Sequence, residues 1–266
     1  MIPSRRVEAH LAVEKPTTGA KGVLRTAVVI PALNEARTIQ GLTARAAQHC
    51  DIVVVVDDGS EDGTADLLVD ASATVLRHGT RRGKAASLWR GMVHSLDQGM
   101  DAVITMDGDG QHQPEDIPGL IAAAESAPGR IVIATRLRQR EKMPAARQFG
   151  NAMADFWIGW AAGYPIRDTQ SGFRLYPSCL LHNLDLPHDA AHGFVFESEI
   201  LIEAARLGYF AMPVSIDCIY QDTFRPSHYR PVRDTLRIIR MVALRLIRQR
   251  MHPMGLLRSV GLLGKP

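Results

Sequence analysis

Two acidic segments have the residue types and the spacing that bind a divalent metal ion. Asp57 and Asp58 open the segment DDGS, and Asp107 and Asp109 alternate with glycine in the segment DGDGQ. Two carboxylates separated by one residue can reach the same ion when the turn between them curls, which glycine permits. Carboxylate and amide oxygens suit Mg²⁺ or Mn²⁺, and the phosphates of a substrate would complete the coordination shell. The segments therefore predict a site where a bound ion neutralises a departing diphosphate.

Several familiar phosphate-binding and hydrolytic motifs are missing from the sequence. The turn after the first predicted strand reads PALNE, which excludes a glycine-rich dinucleotide fingerprint. The segment GTRRGKA at 79–85 is one residue too short for a P-loop and ends in alanine where Ser or Thr is required. Neither HExxH nor GxSxG occurs. A single Asp-x-Asp pair more often caps a turn, but the second acidic turn favours the metal site.

Hydrophobic periodicity predicts alternating strands and helices in the first half of the chain. The run IVVVV at 52–56 is β-branched throughout, as expected for a central parallel strand that is covered on both faces. This alternation predicts an α/β fold with an open, mostly parallel, Rossmann-like sheet flanked by helices. Ligands bind at the carboxyl ends of the strands in such sheets. That rule places six side chains around one crevice, namely Asn34, Asp57, Asp58, Asp107, Asp109 and Arg136.

The predicted elements and domains are as follows. Strands are predicted over 26–31, 52–56, 73–76, 102–106, 131–135 and 209–219, and 170–176 is predicted as a loop or a strand. Helices are predicted over 35–49, 62–71, 83–98, 114–126, 143–163, 194–207 and 232–251. We expect one domain at 25–230, an N-terminal arm at 1–24, and a basic helix and tail at 231–266.

The composition is typical of a soluble globular protein. Of the 266 residues, 46% are hydrophobic and 22% are charged, which argues against disorder or a coiled coil for the bulk of the chain. The longest stretch without a charged residue has 11 residues. A membrane-spanning helix needs roughly 20 apolar residues, so none is predicted. The first residues show no signal peptide, and three widely spaced cysteines fit a reducing compartment. We therefore expect a cytoplasmic location.

The charge is distributed unevenly along the chain. The net charge is +3, but ten basic residues and one acidic residue from Arg225 onward give that segment +9 and leave −6 for the remainder. This distribution argues against a nucleic-acid binder and favours a local contact with phosphates or with an anionic membrane surface.

The predicted helix over 233–251 is amphipathic, and this pattern has two interpretations. It suits a helix in the headgroup region of an anionic membrane, which we favour because of the basic tail, and it equally suits a helix packed on the domain. A helical wheel sets Arg233, Arg237, Arg240 and Arg248 against Leu236, Ile239, Val242, Ala243, Leu246 and Ile247.

Seven segments between Val28 and Arg230 resemble those of a known family. They are VVIPALNE, VVVDDGSEDGT, RRGKAASLWRG, MDGDGQHQPEDIP, ATR, DTQSGFRLYP and FVFESEILIEAARLGY. In this order they resemble glycosyltransferase family 2, and most closely its dolichyl- or polyprenyl-phosphate mannosyltransferase branch. The resemblance implies a GT-A fold, a nucleotide-sugar donor, a bound Mg²⁺ or Mn²⁺, inversion at the anomeric carbon and a lipid-phosphate acceptor.

The resemblance also implies roles for individual residues. Glu35 would face the ribose, Val55 and Asp57 the base, and Arg136 the donor phosphates. The implied nucleotide-sugar site comprises Pro31, Leu33, Glu35, Val55, Asp57, Asp58, Lys84, Asp107, Gly108 and Arg136. The implied metal ligands are Asp107, Asp109 and Gln111, and the catalytic residues are Asp168, Asp109 and Arg136. The implied acceptor side comprises Gln170, Ser171, Arg174, Arg225, His228 and Arg230.

The chain departs from the family pattern at several positions. Leu33 stands where the family often has tyrosine, and Arg81 and Ala85 replace the asparagine and glycine of the third motif. Near the end of the domain, Cys218 and Phe224 stand where the mannosyltransferases have an arginine and a lysine. The basic residues of FRPSHYR would take over those phosphate contacts.

The acceptor and the reaction class leave alternatives open. A phosphate acceptor is already anionic and needs no strong base, whereas a hydroxyl acceptor needs one, for which Asp168 is the first candidate and Glu197 and Glu199 follow. A nucleotidyltransferase would also place acidic residues at strand ends, but a triphosphate-binding loop after the first strand is missing. A non-catalytic nucleotide-sugar module is disfavoured because Asp107, Asp109 and Gln111 are all present.

Overall fold

The computed structural model describes residues 24–69, 71–135, 145–188, 193, 195–216 and 231–264, with the backbone only at 145–147 and 231–236. Within this part, seven strands form one sheet: β1 (Thr26–Ala32), β2 (Ile52–Asp57), β3 (Thr74–Arg77), β4 (Ala102–Thr105), β5 (Ile131–Thr135), β6 (Arg174–Pro177) and β7 (Ala211–Ser215). Their order is β3-β2-β1-β4-β6-β5-β7, and β6 runs antiparallel to both neighbours while the other pairs are parallel. The predicted mostly parallel α/β sheet is confirmed.

Helices cover both faces of the sheet. They are α1 (Ile39–Ala46), α2 (Lys84–Asp97), α3 (Ile117–Ser126), α4 (Ala145–Ala162), α5 (Ser178–Leu181), α6 (Val195–Arg206), α7 (Pro231–Arg248) and α8 (Pro253–Ser259). Successive residues of a strand point to opposite faces. Val29 of β1 accordingly packs in the same core as Leu88 of α2, and its neighbour Val28 packs in a second core with Leu42 of α1 and Ile117 of α3.

The helix predicted over 62–71 is wrong. The described residues form only a short 3-10 turn at Asp66–Leu68. Gly63 has a φ angle of +83°, which is incompatible with a continuous right-handed helix. The carboxylate of Asp62 accepts hydrogen bonds from the backbone amides of Thr64 and Ala36, both at 3.1 Å. The Asp62 side chain therefore joins the loop after β1 to the loop after β2.

The C-terminal helix α7 packs on the domain through one of its sides. It contacts α4 and α6, and Arg245 forms an ion pair with Glu203 of α6 at 3.3 Å. The predicted apolar side of the wheel is split, because Val242 and Leu246 are buried in the core whereas Ile239 and Ile247 are 54% and 66% exposed. The apolar side of the wheel is therefore only partly covered by the domain. The helix has one packed stripe, which also includes Ile238 and Met241, and a second, exposed stripe.

Helix α7 ends at Arg248, earlier than predicted, and a short helix that the pattern did not predict follows it. Arg250, Met251 and His252 all have positive φ angles, so the chain cannot continue as one helix. Among the helices of the described residues, none is both long enough and apolar enough to cross a membrane. The predicted arm lies outside the described residues except for Leu24.

Candidate active site

The carboxyl ends of β1, β2 and β4 lie side by side because these strands are neighbours in the sheet. Ala32 at the end of β1 pairs with Asp57 at the end of β2, and Val29 pairs with Thr105 at the end of β4. The loops that follow these strands therefore meet at one edge, where ligands bind in sheets of this kind.

The acidic segment after β4 touches the loop after β1 at Gly108. A Cβ atom at this position would lie 3.3 Å from Cγ of Glu35 and 3.3 Å from the carbonyl oxygen of Pro31. The hydroxyl of Thr38 donates a hydrogen bond to the Gly108 carbonyl at 2.6 Å. A side chain at 108 would push these loops apart, and the sequence has glycine there.

Lys84 joins two carboxylates that come from distant parts of the chain. Its Nζ atom lies 2.7 Å from Oδ1 of Asp107 and 3.0 Å from Oε2 of Glu197, in the first turn of α6. Glu197 is only 7% exposed, and in the described part of the chain its Oε1 atom has no hydrogen-bond partner. Gly172 lies against both acids, since a Cβ atom there would be 2.8 Å from Asp107 Oδ2 and 3.1 Å from Glu197 Oε1.

The electrostatics of this cluster keep Lys84 charged. Burial alone would lower the pKa of the ammonium, but the charges of Asp107 and Glu197 outweigh this effect and raise it above its ordinary value. The site therefore contains a fixed cation at neutral pH, positioned by two acids at the edge of the crevice.

The acidic segment itself has a donor set that fits a divalent ion only with help from a substrate. The carboxylate of Asp109 accepts a hydrogen bond from the backbone amide of Gln111 at 3.0 Å, and Gly110 between them has a φ angle of +79°. Within the described ranges, no three His, Cys, Asp or Glu side chains assemble into a metal site. Asp107, Asp109 and Gln111 would supply two carboxylates and an amide, and Mg²⁺ commonly takes its remaining ligands from water and substrate phosphates. The residues thus fit the predicted ion.

The first acidic segment, at Asp57 and Asp58, is buried and its carboxylates bind groups of the protein itself. Asp57 is fully buried and forms an ion pair with Arg77 at 3.2 Å. Asp58 accepts hydrogen bonds from the backbone amides of Arg82 and Gly83, at 2.7 and 2.8 Å. These contacts shape the loop that leads directly into Lys84, so Asp58 acts on the crevice through this loop.

The Arg174 side chain points into the protein from the predicted acceptor-side segment and does not face solvent. Arg174 as a whole is 1% exposed, and its guanidinium donates at 2.7 Å to each of three backbone carbonyls, those of Thr169, Ser171 and Glu197. Burial tends to lower its pKa, but Tyr176 and Glu197 more than compensate and the pKa is raised. The prediction that Arg174 contacts an acceptor phosphate is therefore corrected, because its hydrogen bonds are used inside the protein.

The other predicted residues fall into four groups. Val55 has no exposed surface and packs in the second core, and Asp57 also has none, so the predicted contacts of these residues with a base are corrected. Partly exposed are Pro31, Leu33, Glu35, Lys84, Asp107, Asp109, Gln111 and Gln170, whereas Asp58, Gly108, Asp168 and Ser171 are buried. Arg136, Arg225, His228 and Arg230 lie outside the described residues.

Three residues that sequence reasoning did not place at the site contribute to it. Glu197, considered only as a reserve base, contacts Lys84 directly. His78 contacts the Asp58 carboxylate through Nδ1 at 2.9 Å. Asp155 of α4 accepts hydrogen bonds from the segment that contains Asp168. The sequence offers a weak indication for Glu197, because it is an acidic residue at the start of a predicted helix. No sequence pattern indicates a role at the site for Asp155 or His78.

Comparisons with known proteins identify the family of this chain. The family model described as glycosyl transferase family 2 matches residues 27–180. An undecaprenyl-phosphate mannosyltransferase of Micrococcus luteus is 30% identical over 210 residues, covering 75% of this chain and 85% of that protein. A polyprenol monophosphomannose synthase of Mycolicibacterium smegmatis is 29% identical over 226 residues, covering 81% and 84% respectively.

Solved structures support the same fold. The glucosyl-3-phosphoglycerate synthase of Mycobacterium tuberculosis with Mg²⁺ and UDP superposes with a TM-score of 0.60 at 24% identity, covering 85% of this chain and 79% of that one. The same enzyme with Mn²⁺, UDP and its product gives a TM-score of 0.58 at 23% identity, covering 85% and 80%. At this identity, the likeness establishes the architecture.

Proposed function

The chain belongs to glycosyl transferase family 2 and is a glycosyltransferase, and we propose that it transfers a hexose from a nucleotide-diphosphate sugar to a polyprenyl phosphate. The donor is GDP-mannose or a UDP-hexose, and the anomeric carbon is inverted. The observation that carries the proposal is the charged Lys84 held between Asp107 and Glu197 at the ligand-binding edge of the sheet. The polyprenyl acceptor is supported by the names of the Micrococcus and Mycolicibacterium relatives.

Donor binding would use the partly exposed residues of the crevice. Glu35 lies beside Gly108, within reach of a nucleotide that enters between the loops after β1 and β4. Lys84 would donate a hydrogen bond to a diphosphate oxygen and stabilise the negative charge that develops as the diphosphate leaves. A cation that is already oriented in the free protein needs little reorganisation to do so.

We propose Mg²⁺ or Mn²⁺ as the cofactor, held by Asp107, Asp109 and Gln111. The structures of glucosyl-3-phosphoglycerate synthase contain these ions together with UDP, which supports a divalent ion in this fold. When bound, such an ion withdraws negative charge from a leaving diphosphate.

The acceptor determines whether a base is needed. A phosphate oxygen is anionic at neutral pH, so the protein has only to align it with the anomeric carbon. Asp168, which is buried, would then contact the transferred sugar. A hydroxyl acceptor is the second candidate, and the buried Oε1 of Glu197 without a partner in the described residues favours it, because such an oxygen could accept the hydroxyl proton.

The proposal predicts transfer of sugar from one nucleotide sugar to undecaprenyl phosphate in detergent micelles. We expect a labelled, organic-extractable product with GDP-mannose or a UDP-hexose in the presence of Mn²⁺, and none when the lipid is omitted. The measurement is extraction and thin-layer separation of the lipid. Label that appears only on a water-soluble acceptor would contradict the polyprenyl acceptor and support the second candidate.

We also propose that one surface of the domain docks on an anionic membrane at its cytoplasmic side. We call it the helical face, and it consists of exposed apolar side chains on α4, α7 and α8 and in the turn between α7 and α8. Helix α4 contacts both α7 and α8, and the indole of Trp160 donates to the carbonyl of Met251 at 3.0 Å, next to the stacked Trp157. The face comprises Phe149, Met153, Trp157, Ile239, Leu244, Ile247, Met251, Met254 and Leu257.

The charge around the helical face is complementary to an anionic lipid surface. Arg240, Arg248 and Arg250 are exposed, and no acidic residue follows Asp234 in the sequence. Exposed apolar side chains combined with arginines are typical of helices that lie in the interface of a bilayer. Such docking would bring the crevice to the membrane that contains a polyprenyl phosphate.

Ile247→Glu is expected to reduce binding to vesicles of phosphatidylcholine and phosphatidylglycerol by about tenfold. Burial of one such side chain contributes roughly 1.5–3 kcal/mol, and about 1.4 kcal/mol corresponds to a factor of ten. Co-sedimentation measures the bound fraction. Val69→Glu is the matched control, because Val69 is 77% exposed on another part of the surface. Equal binding of the two variants, or no binding of the wild type, would refute the helical face.

A further inference from the structure

The backbone amides of the turn at 168–171 donate hydrogen bonds to a partly buried carboxylate. Asp155 of α4 accepts a hydrogen bond from the backbone amide of Asp168 at 3.0 Å through Oδ2. Its Oδ1 atom accepts from the backbone amide of Thr169 at 2.8 Å and from the hydroxyl of Thr169 at 2.7 Å. Both carboxylate oxygens are thus used by two consecutive residues of the turn.

The carbonyl side of the same turn is held by Arg174. Its guanidinium donates to the carbonyls of Thr169 and Ser171, both at 2.7 Å. The amide of Ser171 also donates to the carbonyl of Asp168 at 3.0 Å and closes the turn. An anion on the amide side and a cation on the carbonyl side match the direction of the peptide dipoles, and both charges act in a poorly solvated environment.

The turn needs this support because of its backbone conformation. Asp168 has a φ angle of +52°, a left-handed conformation that residues with a Cβ atom adopt at a cost. The chain then runs to Gly172, which packs against Asp107 and Glu197 with no room for a side chain. A shift of the turn would therefore move both Asp168 and the backbone beside Asp107.

We propose that Asp155 is a positioning residue, which holds the turn so that Asp168 contacts the sugar that is transferred. This inference rests on the proposed function, since it assigns Asp168 to the sugar side of the donor. In this role Asp155 would touch neither donor nor acceptor. It acts through the backbone amides of Asp168 and Thr169. Arg174 holds the same turn through its backbone carbonyls.

The first test measures whether the hydrogen bonds of Asp155 hold the turn, and it needs no substrate. In Asp155→Asn the side-chain amide nitrogen cannot accept a hydrogen bond, so one of the two oxygens that hold the turn is lost. We expect faster hydrogen exchange at the amides of Asp168 and Thr169, and unchanged exchange in the exposed control Asp185→Asn. Unchanged exchange in Asp155→Asn would overturn the inference.

The second test separates sugar contacts from nucleotide contacts. Misplacing a group that contacts the substrate by about 1 Å can cost roughly 10²-fold in rate. We expect kcat/KM for the nucleotide sugar to fall by up to about this factor in Asp155→Asn, with the affinity for the nucleoside diphosphate unchanged. The double variant with Asp168→Asn should be no slower than Asp168→Asn alone, because both changes remove one contact. Additive losses, or an equal loss of nucleoside diphosphate affinity, would overturn the positioning role.

A pair of milder variants covers the case in which Asp155→Asn does not fold. Thr169→Val removes the hydroxyl that donates to Asp155, and Thr169→Ser retains it. We expect a smaller loss of kcat/KM in Thr169→Val than in Asp155→Asn, and a nearly wild-type value in Thr169→Ser. Equal values of kcat/KM in the two Thr169 variants would contradict the inference. Wild-type protein that is inert with every nucleotide sugar would overturn the proposed function and the contact of Asp168 with the sugar. The hydrogen-exchange result would still show whether Asp155 holds the turn.

Discussion

Asp109→Ala is expected to lower kcat by at least about 10²-fold and to weaken Mn²⁺ binding in the presence of a nucleoside diphosphate. Metal-ion stabilisation of a leaving group is worth several kcal/mol, and each 1.4 kcal/mol or so changes the rate tenfold. In the proposed metal site, Asp109 and Asp107 would supply the two carboxylates, so loss of one would leave too few protein ligands to hold the ion firmly. Electron paramagnetic resonance of Mn²⁺ measures the affinity independently of turnover.

Glu115→Ala provides the control for Asp109→Ala. Glu115 follows the same strand, but it pairs with Arg45 at 2.8 Å on the surface. Both side chains are about half exposed, at 51% and 43%. Exposed pairs of this kind contribute only about 0–1 kcal/mol, so kcat and Mn²⁺ affinity should match those of the wild type. If Asp109→Ala behaved like this control, the metal assignment would be wrong.

Arg174→Met is expected to reduce the free energy of unfolding by about 3 kcal/mol or more. The substitution leaves the buried carbonyls of Thr169, Ser171 and Glu197 without their donor. Each buried acceptor that loses its partner costs about 1–3 kcal/mol, although relaxation of the turn recovers part of this. Denaturation by urea, with a fitted midpoint and slope, measures the change.

Arg206→Met is the matched control for this stability change. The Arg206 side chain is 63% exposed and pairs with Glu203 at 2.6 Å on the surface of α6. Its removal should change the free energy of unfolding by no more than about 1 kcal/mol. Equal stability of the two methionine variants would mean that Arg174 does not hold the turn.

The sheet could be predicted from local sequence because its strands have simple patterns. The run at 52–56 is apolar and β-branched throughout, and β2 is observed at Ile52–Asp57. The order of strands after β4 could not be predicted in this way. Strand β6 enters between β4 and β5 in the antiparallel direction, and only contacts between distant segments determine such an insertion.

The positions of the acidic segments could be predicted because strand ends alone determine them, whereas the pairing of side chains from distant elements could not. Asp107 follows β4 and lies at the crevice as expected, but its pairing with Lys84 and Glu197 depends on how α2 and α6 pack on the sheet. Asp57 and Asp58 satisfy the same strand-end rule, yet the first is paired with Arg77 and the second binds backbone amides. Periodicity does not reveal which loop amides lack a partner, so an acid that ties loops together resembles an acid that binds a ligand.

The acceptor comparison tests the central claim most directly. The protein is incubated with Mn²⁺, the active nucleotide sugar and either undecaprenyl phosphate or undecaprenol, which share a chain and differ only in the phosphate. We predict rapid release of nucleoside diphosphate and a labelled lipid with the phosphate, and background release with the alcohol, because only the phosphate presents an anionic nucleophile without a base. Equal or faster transfer to the alcohol would contradict the proposed function.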